Sequence, residues 1–214
     1  MRTFRLIFTA CSAAALALGA APTGAATLPP TGTLTCTLSG SATLKPGLPL
    51  NSPGTATKAV KTKIAFTGTL SGCNNAGQVG GKLPIDGGTV KAKGTSVVNA
   101  GEALPSCIGL STPPTTPTAI KTSITFTAIG PTKPTKVSKA TAALTLGTPS
   151  VGMPISFTVS GPISKGGFLG ETADTTAVLD LDQIGLIVAC TATGGLTTLS
   201  FTGVHGPSTL AIHP

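Results

Sequence analysis

Apolar and polar residues alternate along most of this chain, in short runs separated by Gly and Pro, the pattern of half-buried β-strands rather than of helices. In AVKTKIAFTGTL, residues 59–70, Val60, Thr62, Ile64 and Phe66 fall on one side and Lys61, Lys63, Ala65 and Thr67 on the other. Successive strand side chains point to opposite faces, so the first set is the expected core face. The phrase returns sixty residues later as AIKTSITFTAIG, with Ile120, Thr122, Ile124 and Phe126 inward and Lys121, Ser123 and Thr125 outward. Shorter echoes surround Phe157 and Phe201. No constant period joins the copies, so they read as recurrent strand grammar, not a solenoid.

Further strands are expected at Leu34–Leu38, Gly88–Val98, Val137–Leu146, Thr176–Leu181, Leu186–Thr193 and Thr209–Ile212. About ten strands with short polar connections and almost no helical spacing predict an all-β fold, an antiparallel β-sandwich or a closed β-barrel. A parallel α/β fold is excluded, because it needs crossover helices. Pro113, Pro114 and Pro117 form a stiff connection between the two long Lys-bearing strands.

The ends change the picture. Arg2 and Arg5 precede an uncharged apolar run from Leu6 to Ala21, a length short of the roughly 20 residues of a bilayer span. Small residues follow it, the pattern of a cleavable secretory signal peptide, helical over its apolar run. Cleavage is expected after Ala26, with Gly24 three residues back, since a cut after Ala21 would place Pro22 directly beyond the scissile bond. Residues 1–26 are then the signal peptide and 27–214 a single all-β domain, secreted or held at the cell surface, with no transmembrane segment.

Removing the leader removes Cys11 and leaves Cys36, Cys73, Cys107 and Cys190. An even number outside the cytoplasm predicts two disulfides. Three connectivities are open. Cys36 and Cys190 lie in similar contexts near the two ends while Cys73 and Cys107 bracket the Gly-rich middle, which favours Cys36–Cys190 and Cys73–Cys107. The spacing is far from paired CxxC and no histidine lies near a cysteine, so no metal site is expected.

Beyond residue 26 the chain has no Arg, Trp or Tyr, twelve Lys and six acids. That composition suits an exported β-protein better than an enzyme. The only histidines, His205 and His213, fall in the last ten residues and no serine occupies a GxSxG elbow, which argues against a nucleophile relay with a positioned base. Asp180 and Asp182 raise paired-carboxylate hydrolysis or calcium binding. A sugar site would ordinarily add aromatic stacking, and calcium six or more oxygen ligands, so a polar strand face with Leu179 and Leu181 turned inward is the simpler expectation. Gly77–Lys82 and Asp86–Gly88 lack the Walker pattern and read as turns. No cofactor is expected.

Charge is uneven: five Lys and no acid lie between Cys36 and Ile85, whereas Glu171, Asp174, Asp180 and Asp182 follow the last Lys. The outward set Lys58, Lys61, Lys63, Lys91, Lys93 and Lys121 forms one basic face if its strands are neighbours. Such a face attracts anionic cell-envelope polymers or headgroups; nucleic acid is disfavoured, because Arg and stacking aromatics are missing. It equally protects strand surfaces from aggregation. A different reading is a carrier whose barrel interior, lined by Val60, Ile64, Phe66, Ile124, Phe126, Phe157 and Phe201, holds a small apolar ligand. A hydrolase of unspecified substrate comes third. Oligomeric state is not legible.

The run TLTCTLSGSATLKPGLPL, a strand ending in LSGC, a second central cysteine in LPSC, the turn GPISKGGFLGET and the final VACTATGGLTTLSFTG resemble a group of secreted, four-cysteine, Thr/Gly-rich actinobacterial proteins of unknown function. The likeness spans most of the chain after the leader, and its Gly-Phe-Gly type turn falls on Lys165, Gly166, Gly167, Phe168, Leu169 and Gly170. It implies secretion, β-architecture and the cysteine layout, and assigns no functional residue.

Overall fold

The computed structural model describes residues 29–51, 54–81, 84–104, 106–107, 118–128, 134–146, 154–191 and 193–214. The expected signal peptide, residues 1–26, and the proline-rich connection lie outside them. The described elements are β1 (Thr31–Gly32), β2 (Leu34–Leu48), β3 (Val60–Asn74), β4 (Gln78–Val79), β5 (Ile85–Val98), β6 (Thr118–Ala128), β7 (Pro134–Leu146), β8 (Ser156–Lys165), β9 (Thr172–Val178), α1 (Gln183–Cys190), β10 (Leu196–Phe201) and β11 (Ser208–His213). All pairings are antiparallel. Each strand from β5 to β9 pairs with its sequence neighbour, β3 pairs with both β2 and β5, and β9 pairs with β11.

The sheet closes through β2. One edge of β2 pairs with β3 from Thr35 to Lys45. Its other edge takes β10 along Gly40–Leu48 and then β11 along Leu34–Leu38. β10 and β11 are thus two halves of one line, parted by residues 202–207, and the ring is an up-and-down barrel of eight such lines. Closure removes the exposed edges that an open sheet presents.

An eight-stranded barrel is just wide enough for side chains to fill. The predicted strand grammar supplies the filling: Phe66 stacks on Phe201 at 4.8 Å between centroids, and Phe157 meets both edge-on at 6.1 Å. Gly40 and Gly68 stand opposite each other across β2 and β3. A Cβ on Gly40 would lie 2.2 Å from the Thr67 carbonyl oxygen and 2.8 Å from the Phe201 ring, so glycine is what admits the stack. Of the expected inward residues on β3, Phe66 and Thr62 are buried while Val60 and Ile64 are half-buried; on β6, Ile120, Thr122, Ile124 and Phe126 are all buried.

The two ends differ. At the end where β2 begins, the turn after β8 folds inward: Phe168 is fully buried, lies 5.4 Å from Phe126, and donates its backbone N–H to Pro30. Its φ of 56° puts a bulky residue in the left-handed region, at a cost of about 1–3 kcal/mol that is offset by burying a Phe ring, worth a similar amount. The other end, where β2 finishes, carries α1. This corrects the expectation of a strand over Leu186–Thr193. The apolar, β-branched run reads as strand, but the Asp182 side chain accepts the Gly185 N–H at 2.7 Å and caps a helix, the role Asp fills well.

The cysteine pairing is also corrected. The bonds are Cys36–Cys73 and Cys107–Cys190, not Cys36–Cys190 and Cys73–Cys107. Cys36 and Cys73 face each other beside the β2–β3 bulge, where Thr35 pairs with Asn74 and Thr37 with Ser71. Cys107 donates its N–H to Pro49, just past the other end of β2, and Cys190 ends α1. Twelve residues of strand, about 40 Å, separate these levels, whereas bonded cysteines need Cα atoms within about 7 Å. Each disulfide therefore ties chain at its own end of the barrel.

Candidate functional site

The outward side of β2, β3, β5 and β6 is mostly Thr, Ser and Lys because the inward positions of the same strands are apolar or glycine except for the buried Thr62 and Thr122. Register then decides which lysines meet. Lys93 stands directly opposite Lys121, and Lys63 directly opposite Lys45. Lys93 pairs with Ala65, two residues from Lys63, and Lys91 with Thr67, so Lys63 and Lys93 are diagonal neighbours. Lys61 lies two residues from Lys63 on the same face. Lys58 precedes β3, beside the short bridge between Thr55 and Ala103, and extends the row past the strand end.

All six predicted lysines are exposed, and the four strands bring five of them, with Lys45, into one oblique band. Directly opposed strand positions have Cβ atoms about 4.5–5.5 Å apart, where like charges destabilise the pair. Among the described residues the one ion pair is His213–Asp174, and none of the acids falls within the band: Asp86 lies at the far start of β5, Glu102 in the β5–β6 connection, and the rest beyond β8. The band is thus an uncompensated row of cations.

Sequence reasoning missed Lys45. Its signal was the continuation of alternation past Leu38, with Ala42 and Leu44 buried and Thr43 and Lys45 exposed, which extends β2 to Leu48. It also missed what α1 displays. Ile184 is 72% exposed, Val188 64% and Ile187 42%, while Leu186 and Cys190 join the core.

The remaining candidates resolve into structural roles. Asp180 lies past the end of β9, not on a strand face, and its carboxylate accepts the N–H groups of Thr202 and Val204. Asp182 caps α1. Leu179 is buried and Leu181 half-buried, as expected. Gln78 and Val79 form β4 against Thr31 and Gly32, with Gly80 and Gly81 at positive φ in the turn. His205 sits exposed between β10 and β11.

His213 is not merely solvated. β11 runs beside β9 so that His213 faces Thr172 and Ala211 faces Asp174, and the His213 Nε2 reaches the Asp174 Oδ2 at 2.7 Å. The His213 pKa is raised from its ordinary value, chiefly by the hydrogen bond to Asp174 and then by the Pro214 carbonyl. Burial alone would raise the pKa of Asp174, but hydrogen bonds from His213 and Ser160 and the His213 charge together lower it.

No group of three or more His, Cys, Asp or Glu side chains suited to a metal occurs among the described residues, and no helix among them is long and apolar enough to cross a membrane. No protein-family model, no curated protein and no solved structure matches this chain.

Proposed function

We propose that this protein is an exported, non-enzymatic β-barrel that docks on the anionic cell envelope through its lysine band. One observation carries the reading: Lys45, Lys61, Lys63, Lys91, Lys93 and Lys121 occupy a single outer band in which two pairs stand directly opposed. Intramolecular repulsion of that kind is relieved by an external polyanion, which also gains from the summed field of the row. The two disulfides suit an oxidising compartment, in keeping with the basic and apolar leader of the sequence.

The test is retention on envelope fragments of the producing cell. Retention should fall steeply between about 0.05 and 0.5 M salt, as the Debye length shrinks below the spacing of the charges. The triple variant Lys63→Gln, Lys93→Gln, Lys121→Gln should lose most of the retention seen at low salt. Retention that is absent, or that ignores both salt and the triple variant, overturns the proposal.

A further inference from the structure

We infer that the docked surface is an anionic lipid membrane, which the protein meets end-on, with the exposed apolar face of α1 entering the headgroup layer and the β2–β3 lysines lying against it. The inference rests on the lysine-band reading and names its partner.

The apolar face comes first. Ile184, Ile187 and Val188 are spaced three and four residues apart and share one side of the helix, and that side is the exposed one. The opposite side is anchored: Leu186 and Cys190 are buried, and the Cys107–Cys190 bond fixes the end of the helix. A short, rigidly held helix that keeps its core residues inside and still presents two Ile and a Val outward has an unpartnered surface.

The location of that surface selects the occupant. α1 connects β9 to β10, and β10 pairs with the last part of β2, Leu196 opposite Leu48. Cys107 donates its N–H to Pro49, next to Leu48, so the disulfide draws the C-terminal end of α1 toward the β2 side. Lys45 lies three residues from Leu48, opposite Lys63, and Lys58 and Lys61 lie at the start of β3 on the same flank. An apolar tip beside a cluster of cations complements an anionic lipid surface, which offers acyl chain to one and phosphate to the other. A soluble polyanion would engage only the lysines. The acids at this end, Glu102, Asp180 and Asp182, each hold backbone N–H groups with their carboxylates. The barrel wall does not span the membrane in this geometry, because the outward positions of β2, β3 and β5 are mostly Thr, Ser and Lys, with Ala65 and Val97 apolar among them, where a spanning barrel carries an apolar band.

The experiment uses the protein as its host makes it, with its N-terminus established by intact mass, floated with vesicles of phosphatidylglycerol and phosphatidylcholine in equal parts or of phosphatidylcholine alone. A parallel arm measures retention on immobilised long-chain polyphosphate, an anion without acyl chains. Ile184→Ser with Val188→Ser changes only exposed positions, and circular dichroism checks that the fold is kept. The double variant should lose about ten-fold or more of its partition to anionic vesicles while keeping its salt-sensitive retention on polyphosphate. Lys45→Gln with Lys63→Gln should weaken both. Undiminished vesicle binding by the helix variant overturns the membrane inference but leaves the lysine reading standing. Absence of salt-sensitive binding in both arms overturns both. A wild-type dimer that the helix variant dissociates, with equal vesicle binding by the two proteins, assigns the face to a second copy of this chain and likewise overturns the inference.

Discussion

A row of directly opposed cations should cost the fold something, and the cost follows from register. Lys45 faces Lys63 and Lys93 faces Lys121 directly across paired strands. Their ammonium groups can splay to about 7 Å, where two unit charges in water repel by about 0.6 kcal/mol. At about 10 mM salt, with a Debye length near 30 Å, most of that remains; at 1 M, with a length near 3 Å, about a tenth survives. Replacing Lys63 and Lys121 by Thr removes one partner from each pair and leaves a residue well suited to an exposed strand position. The double variant should therefore be more stable by about 1 kcal/mol at low salt, a rise in Tm of about 2–4 °C for a chain of this size. Differential scanning calorimetry at the two salt concentrations reads the effect. The low-salt excess should vanish at 1 M, leaving only the salt-independent preference for Thr, while retention on envelope fragments falls. An equal shift at both salts, or a lower Tm at low salt, would refute the claim that the band stores repulsion.

Three further outcomes test the frame that holds the band. Phe201→Ala should destabilise by about 3–5 kcal/mol in urea unfolding, since it empties the centre of the three-ring cluster; a double-mutant cycle with Phe66→Ala should show coupling of about 1 kcal/mol. Breaking the Cys107–Cys190 bond, which closes 83 residues, by Cys107→Ser with Cys190→Ser should cost about 4.5 kcal/mol in the loop-entropy account and more than breaking Cys36–Cys73 over 37 residues, at about 4 kcal/mol; urea midpoints of the two double variants give the order. The His213–Asp174 pair sets a pH window. The raised pKa of His213 contributes stability in full below its ordinary value of 6.5 and loses it as pH rises through the folded-state value, whereas the lowered pKa of Asp174 contributes above its ordinary 3.8 and loses it as pH falls. Tm should hence decline on the alkaline side, and Asp174→Asn should remove that limb of the profile.

Much of this architecture is written locally. Period-two alternation around Phe66, Phe126, Phe157 and Phe201 identified strands whose phenylalanines are all buried, because facing inward or outward is a property each strand carries in itself. The lysine faces of β3, β5 and β6 followed from the same alternation. What a strand does not carry is its neighbour. Whether the sheet folds into a sandwich or closes into a barrel depends on β2 holding β3 on one edge and β10 and β11 on the other, and the partners on that second edge run from Leu48 with Leu196 to Leu34 with Ile212, far apart in the chain. The disulfides failed for that reason: similar flanking sequences around Cys36 and Cys190 say nothing about the end of the barrel at which each falls. The helix escaped because Ile184–Cys190 is apolar and carries three β-branched residues, Ile184, Ile187 and Val188, so composition argues for strand while one carboxylate at Asp182 and one disulfide at Cys190 determine otherwise. Lys45 escaped because the expected strand stopped at Leu38, ahead of Ser39, Gly40 and Ser41, whereas β2 runs through them to Leu48.

The rival carrier reading turns on the same interior. An apolar ligand in a barrel must occupy space that the wall residues leave, yet three of the rings nominated as that wall touch one another: Phe66 against Phe201 in a stack, Phe157 edge-on to both. The stack is admitted only by glycine at position 40, where even a methyl group would meet the Phe201 ring and the Thr67 carbonyl. Phe126 meets Phe168, which the turn after β8 inserts at the cost of a left-handed backbone. Spending strain and two opposed glycines to bring rings into contact is what a barrel does to fill its centre. A carrier would instead hold these rings apart and pay for the gap in stability. On the proposed reading the recognition chemistry lies outside, where closure of the sheet has turned the lysines of β2, β3 and β5 and every Thr of these strands but Thr62 toward solvent and placed the lysines in one row.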